Sequence, residues 1–390
     1  MTATANRPRR PARAETVGSL LRPAKLRAAI DAFYEPGHSA ALAEERDRDR
    51  SELTAIEDDA IRTVVRRQID CGLDVVTDGE LRRWMFMNSF YDAVNGVRTG
   101  KTVAFRNDRG EDVRLNIHEI VGRLTPVDSP AAREVAFMAD VADGYPFKVT
   151  FPSPSLFGHP LTTVVGPEAG GYASLEEFVA HAIEIERGLV ADAIAAGARY
   201  IQFDFPLYPY LVDPVWVDRF EAAGHDVARV LDAAISADIA VLEGIPEDVT
   251  TALHICRGNF RSSWMCEGSL EPVAEHVFGR VPVDAFLVEW DDVGRDGGFE
   301  PIRFLRDGSV MVMGIVSSKV RALEDEDDLV RRMEHAASIA GGLDRLAISP
   351  PCGFASVMIG NDTDEDIQWR KLELVGRVAD RLWDRGATRQ

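Results

Sequence analysis

The chain has 390 residues, a formal net charge of −20 and four cysteines. That charge argues against nucleic acid as a partner, because phosphate binding needs a basic surface. No apolar run reaches the roughly 18 residues that a membrane-spanning helix requires. With 46% hydrophobic and 28% charged residues, the composition is that of a soluble globular protein. Four cysteines are too sparse for a disulfide framework at this length, so a cytoplasmic protein with reduced thiols is expected.

In chain order, Met1 to Arg13 is basic and proline-rich with no apolar segment of signal type behind it. It reads as a disordered tail, residues 1–13, ahead of a single domain, 14–390. Short β-branched runs then alternate with longer helical patterns, which predicts βα units around a parallel sheet. Eight candidate strands fall near Glu15–Gly18, Leu73–Thr77, Phe147–Phe151, Tyr200–Asp204, Thr250–Cys256, Ala285–Glu289, Val310–Val316 and Arg345–Ser349. A charge-rich helical segment, Ala40–Cys71, separates the first two. A segment inserted after the second, Asn88–Tyr145, is expected to form a hairpin or lid. Amphipathic stretches at Leu175–Ala196 and Glu326–Gly341 stop at glycines. The pattern predicts an α/β fold, a (β/α)8 TIM barrel with an insertion after strand 2. A doubly wound sheet would normally carry a Gly-rich phosphate turn, and neither GxGxxG nor GxxxxGK[ST] occurs.

Polar residues cluster at the C-terminal ends of these strands, the rim where barrel enzymes build their sites. His254 and Cys256 are two apart on one strand, so both can reach one metal. Glu289 ends an apolar run and needs a partner for its charge. Cys352 follows the last strand. The four together make a His-Cys-Glu-Cys set that suits zinc, although a structural histidine beside a buried cysteine has the same spacing. Cys71 reads as packing, and Cys266 is a reserve ligand. A thiolate-rich zinc serves to deprotonate a substrate thiol. Ser19 offers donors for a substrate carboxylate. Glu80 and Asp204, the candidate catalytic residues, offer carboxylates for its ammonium, with Asp78 beside them. Arg22, Arg82, Arg83, Arg257 and Arg261 are cations able to grip an acid, and Arg257 joins the candidate substrate-binding set. Trp84, Phe86, Tyr208 and Trp264 are candidates to line an apolar site, or simply core.

Six collinear stretches then acquire a common meaning: Thr16-Val17-Gly18-Ser19, Thr77-Asp78-Gly79-Glu80, Ile201-Gln202-Phe203-Asp204, His254-Ile255-Cys256-Arg257-Gly258-Asn259-Phe260, Phe286-Leu287-Val288-Glu289 and Ser349-Pro350-Pro351-Cys352-Gly353. Across nearly the whole chain they resemble the cobalamin-independent methionine synthase family, in its C-terminal catalytic domain and its short single-domain homologues. The resemblance implies a (β/α)8 barrel holding Zn2+ through His254, Cys256, Glu289 and Cys352. It also implies Ser19 on the substrate carboxylate, Glu80 and Asp204 on the ammonium of a homocysteine-like thiol, and alkyl transfer to sulfur.

Three departures bear on the donor. The chain is about half a full-length member, whose N-terminal barrel helps to hold a polyglutamylated folate. The run Gly314-Ile315-Val316-Ser317-Ser318-Lys319 lacks the family's histidine, and Phe151-Pro152-Ser153-Pro154-Ser155 lacks the tryptophan expected beneath a pterin. The expected function is therefore homocysteine methylation from a donor other than polyglutamyl methyltetrahydrofolate, such as a methylcorrinoid. The alternatives are epoxide opening by a zinc-activated thiol, as in the epoxyalkane:coenzyme M transferases, a related C–S lyase, or a non-catalytic zinc-binding barrel. The expected partners are a small-molecule thiol and an alkyl donor, without nucleic acid or membrane. A homo-oligomer is compatible with this reading.

Overall fold

The structure, a computed structural model, describes residues 12–34, 48–106, 110–163 and 171–385. Most of the expected tail, and residues 40–47 of the helical segment expected to begin at Ala40, lie outside the described residues. Two strands, β1 (Val94–Arg106) and β2 (Asp112–Pro126), pair antiparallel as a hairpin. Six more, β3 (Val149–Pro152), β4 (Tyr200–Asp204), β5 (Thr250–Ile255), β6 (Ala285–Glu289), β7 (Val310–Gly314) and β8 (Leu346–Ser349), form a parallel sheet in sequential order. A doubly wound sheet reverses its strand order at a switch point; this sheet does not.

The first two candidate strands are reduced to single bridges. Ala14 bridges to Ile348, Glu15 to Val75 and Val76 to Phe147, all in parallel sense. These contacts connect the two edges of the sheet and make the architecture TIM-barrel-like. The ladder is short here because a side chain replaces it: Asp74 Oδ2 accepts the N–H groups of Arg13 and Ala14 at 2.7 and 3.0 Å. Val17, Val75, Ala252, Leu287, Val312 and Ala347 pack together as one cluster on the strand segments.

Helices cover the outside, and their ends follow local chemistry. Ser174 accepts the N–H of Glu177 at the start of Leu175–Ala195, and Asp325 accepts that of Asp328 at the start of Glu326–Ala340. The latter helix stops at Gly341, whose φ of 92° is left-handed. Between Val76 and β3 the chain carries a short helix (Asn88–Tyr91), the hairpin and a longer helix (Pro130–Val141).

A buried ion pair sits among the interior strand residues. Lys148 Nζ is 2.6 Å from Glu15 Oε2, both side chains are essentially inaccessible, and the Tyr200 hydroxyl donates to the same carboxylate. Removing one partner strands a charge, so Lys148→Met is expected to lower unfolding free energy by about 3–5 kcal/mol. Glu15→Leu with Lys148→Met should recover most of that loss. A denaturant titration in which the single and double variants unfold alike would count against the pairing.

Candidate active site

The strand ends converge as the alternation of β5 requires. His254 and Cys256 point to one side, and Cys352 arrives from β8 through Pro350-Pro351. The His254 nitrogen and the two sulfurs lie within 4.8 Å of one another, all buried. His254 Nδ1 faces the Leu287 carbonyl at 3.2 Å, which leaves Nε2 turned inward with no hydrogen-bond partner. A backbone carbonyl on one ring nitrogen and an orphaned second nitrogen beside two thiols is the arrangement a metal-ligating histidine needs. The neighbouring Cys256 thiol, then the His254 imidazole, holds the Cys352 thiol well below its ordinary pKa. Burial pushes Cys256 up.

Glu289 ends β6 beside this trio but stands outside it. Its Oε1 contacts Lys319 Nζ and lies 2.6 Å from Arg295 Nη2, and its Oε2 accepts the Arg257 N–H at 2.7 Å. Cys71 is elsewhere, its thiol on the Trp369 carbonyl and pushed up to about 12 by burial. Cys266 is buried and does not join the cluster.

One cavity of about 190 Å³ opens onto the trio, and Ser19, Glu80 and Asp204 share its wall. Glu80 Oε1 accepts the Thr150 hydroxyl at 2.8 Å, while Oε2 has no hydrogen-bond partner. Asp204 Oδ1 accepts from Gln202 Nε2 at 2.6 Å, and burial lifts its pKa to about 7. Asp78 accepts the Glu80 N–H and so shapes the turn; burial raises it to about 6. Glu80 takes a φ of 53°, a left-handed conformation that costs a non-glycine residue of order 1–3 kcal/mol. Gly18 and Gly353 are small for a reason. A Cβ on Gly18 would sit 2.5 Å from Glu80 Oε1, and one on Gly353 would sit 2.0 Å from Ser19 Oγ.

None of the singled-out arginines lines the cavity. Arg257 does not line the cavity; its buried Nε lies 3.5 Å from Asp296. Arg22 donates to the carbonyls of Glu80, Arg83 and Ala355, and so braces the turn. Arg83 grips Glu134 and also stands 3.8 Å from Glu80 Oε1, and Arg82 pairs with Glu57 and Asp58. No Lys or Arg lines the cavity among the described residues. Of the four aromatics singled out from sequence, Phe86 lines the cavity. Tyr208 donates to Asp238, Trp84 packs edge-on to Tyr34, and Trp264 lies near Arg295.

Sequence reasoning missed the far end of the chamber. Phe205, Tyr210, Trp216 and His159 line it from the segments that follow β3 and β4, Trp216 from the helix Pro214–Ala222, and Tyr91 and Ile120 line it from the 88–145 segment. The Phe-Pro-Leu-Tyr-Pro-Tyr run at 205–210, rich in rings just past a strand end, was the available signal.

No protein-family profile matches the chain. The uncharacterized Bacillus subtilis proteins YxjH and YxjG are each 32% identical to it, over 388 and 380 residues, spanning 96% of this chain and 95% of theirs. A methionine synthase of Methanothermobacter marburgensis is 25% identical over 305 residues, 76% of this chain and 82% of that one. Among solved structures, a Listeria monocytogenes protein provisionally named a vitamin-B12 independent methionine synthase is 25% identical. It superposes with a TM-score of 0.69 over 96% of this chain and 98% of its own. A B12-independent methionine synthase from a Shewanella species, solved with selenomethionine, shares the fold at 19% identity and a TM-score of 0.69, over 97% of this chain and 99% of its own. Superposition on the Listeria protein over nearly the whole chain, the fold shared with the Shewanella enzyme and the match to the Methanothermobacter methionine synthase place the sequence. The chain belongs to the cobalamin-independent methionine synthase family.

Proposed function

We propose that the protein is a zinc-dependent methyltransferase that alkylates the thiol of homocysteine, or a close analogue, from a donor other than polyglutamyl methyltetrahydrofolate. One observation carries the reading: two buried carboxylates, Glu80 and Asp204, share a cavity with an imidazole and two thiols, and no Lys or Arg side chain among the described residues faces it. An amino-acid thiol supplies what that cavity lacks, a cation for the carboxylates and a sulfur for the imidazole–thiol cluster. A sulfonate thiol such as coenzyme M would need basic groups that the wall does not offer.

The roles follow from chemistry. Glu80 and Asp204 bind the substrate ammonium, and Ser19 orients its carboxylate. His254, Cys256 and Cys352 are the metal donors we assign, with Glu289 as the fourth, ordered by Lys319 and Arg295. The orphaned His254 nitrogen and the N,S,S donors fit zinc, the ion this mixture of soft and imidazole ligands selects. Zinc held there supplies a Lewis acid that makes a thiol anionic near neutral pH. The contacts from Ala14 to Ile348, Glu15 to Val75 and Val76 to Phe147 support a closed (β/α)8 barrel in a single domain, 14–390, with the 88–145 segment as its inserted lid. We assign it to the cytoplasm, where thiols stay reduced.

Zinc-edge spectroscopy tests the reading directly. The purified protein should carry one zinc per chain and gain one sulfur scatterer with homocysteine but none with coenzyme M. Stoichiometric zinc that ignores homocysteine would end the methyltransferase assignment.

A further inference from the structure

The cavity has two unlike ends. The thiol end is acidic, with Glu80 and Asp204 beside Cys256 and Cys352. The other end is ringed: Phe86 meets Phe205 at 6.3 Å between centroids, Phe205 meets Tyr210 at 5.6 Å, and Tyr210 meets Trp216 at 4.8 Å. These four rings form one continuous wall.

Phe205 is held there at a cost. It follows Asp204 directly, its N–H is tied to the His254 carbonyl at 2.9 Å, and its φ is 59°. A bulky residue in the left-handed region is a real outlier, and such strain collects at functional sites. Glycine would satisfy that backbone without strain, so the ring itself is what the position retains.

On the reading of this site as a thiol methyltransferase, we infer that the ringed end is the alkyl-donor subsite and that it takes a small onium methyl donor, a sulfonium or quaternary ammonium. Aromatic faces attract such cations, most strongly where water is excluded. The acidic end adds a favourable field: Arg83 Nη1 stands 3.8 Å behind Glu80, but among the described residues no Lys or Arg side chain lines the cavity itself. The leaving group points the same way. Thiolate attacks the methyl carbon, a new S–C bond forms, and the C–S+ or C–N+ bond breaks with its electron pair going to the departing heteroatom. A neutral thioether or tertiary amine leaves, no proton is needed, and the opposite charges cancel.

A neutral N-methyl donor would instead need an acid at its nitrogen. The buried imidazole at this end is a poor acid: burial lowers His159 to about 4, and its Nδ1 accepts the Leu161 N–H at 3.3 Å, which leaves Nε2 without a hydrogen-bond partner and able to donate only as a neutral imidazole. His118, on the hairpin side, lies flat on Tyr91 with centroids 3.7 Å apart.

The test uses the zinc-loaded full chain. Tetramethylammonium should bind at least about tenfold more tightly than its neutral isostere tert-butanol by calorimetry, a preference set by cation–π attraction. With homocysteine present, trimethylsulfonium should yield methionine and one equivalent of dimethyl sulfide in the headspace. Phe205→Gly should keep the sulfur scatterer gained with homocysteine while losing the tetramethylammonium preference. Equal binding of tert-butanol and tetramethylammonium would overturn the inference. So would methyl transfer from 5-methyltetrahydrofolate or methylcob(III)alamin with none from trimethylsulfonium. Failure of homocysteine to alter the zinc edge would instead strike the methyltransferase reading, and the binding preference is measured independently of it.

Discussion

Cys352→Ser is expected to empty the metal site and reduce thiol methylation by about 10³-fold or more, since Lewis-acid activation is worth several kcal/mol. The thiol of Cys352 is the one held well below its ordinary pKa, chiefly by the neighbouring Cys256 thiol and then by the His254 imidazole. A serine hydroxyl in its place is neither anionic nor soft, and zinc selects strongly against it. Cys256→Ser should behave alike, because the two sulfurs belong to one cluster with His254. The controls are internal. Cys71, whose thiol burial pushes up to about 12, and Cys266, outside the cluster, should each become Ser without loss of zinc. Metal analysis of the four variants decides the matter, and full zinc in Cys352→Ser would remove the centre from the account.

Much of this site was legible in the sequence because its residues terminate strands. Tyr200–Asp204 and Ala285–Glu289 could be bounded to the residue, since buried parallel strands are short, apolar and end in a charge. Gly341 likewise marked its helix end. What could not be read depends on contacts across the sequence. Glu289 looked like a ligand equal to the others, yet its carboxylate is shared among Lys319, Arg295 and the Arg257 N–H. Lys319 had entered only as the absence of a histidine in that run. Arg257 looked exposed to substrate beside Cys256 but is turned against Asp296, since a guanidinium buried there needs a carboxylate. The ring wall escaped because Phe205 reaches the cavity through a left-handed backbone, a conformation that nothing in a Phe-Pro sequence announces. The first two strands were anticipated as full ladders, but Asp74 takes the N–H groups that a ladder would use.

The ammonium clamp carries the second large effect, and methionine is the right probe because its sulfur does not titrate. Glu80→Gln and Asp204→Asn should each weaken methionine binding by roughly 10–150-fold, the equivalent of about 1.5–3 kcal/mol for a hydrogen bond to a charged group. Asp204 also sets the pH dependence. Burial lifts its pKa to about 7, so the ionised form that the ammonium requires disappears as pH falls through that value. Methionine affinity should then drop by about tenfold per pH unit below 7 in the wild type, and Asp204→Asn should flatten that limb. The same shift acts on folding with a definite sign. A carboxyl raised in the folded state contributes stability that is present below its unfolded value, near about 3.9, and lost as pH rises through about 7. Wild type should lose that increment across the window while Asp204→Asn does not. Calorimetry with methionine and unfolding midpoints, both followed from pH 5 to pH 8, read the two effects separately. An inflection near 7 that persists in Asp204→Asn would assign the titration to another group and detach Asp204 from the ammonium.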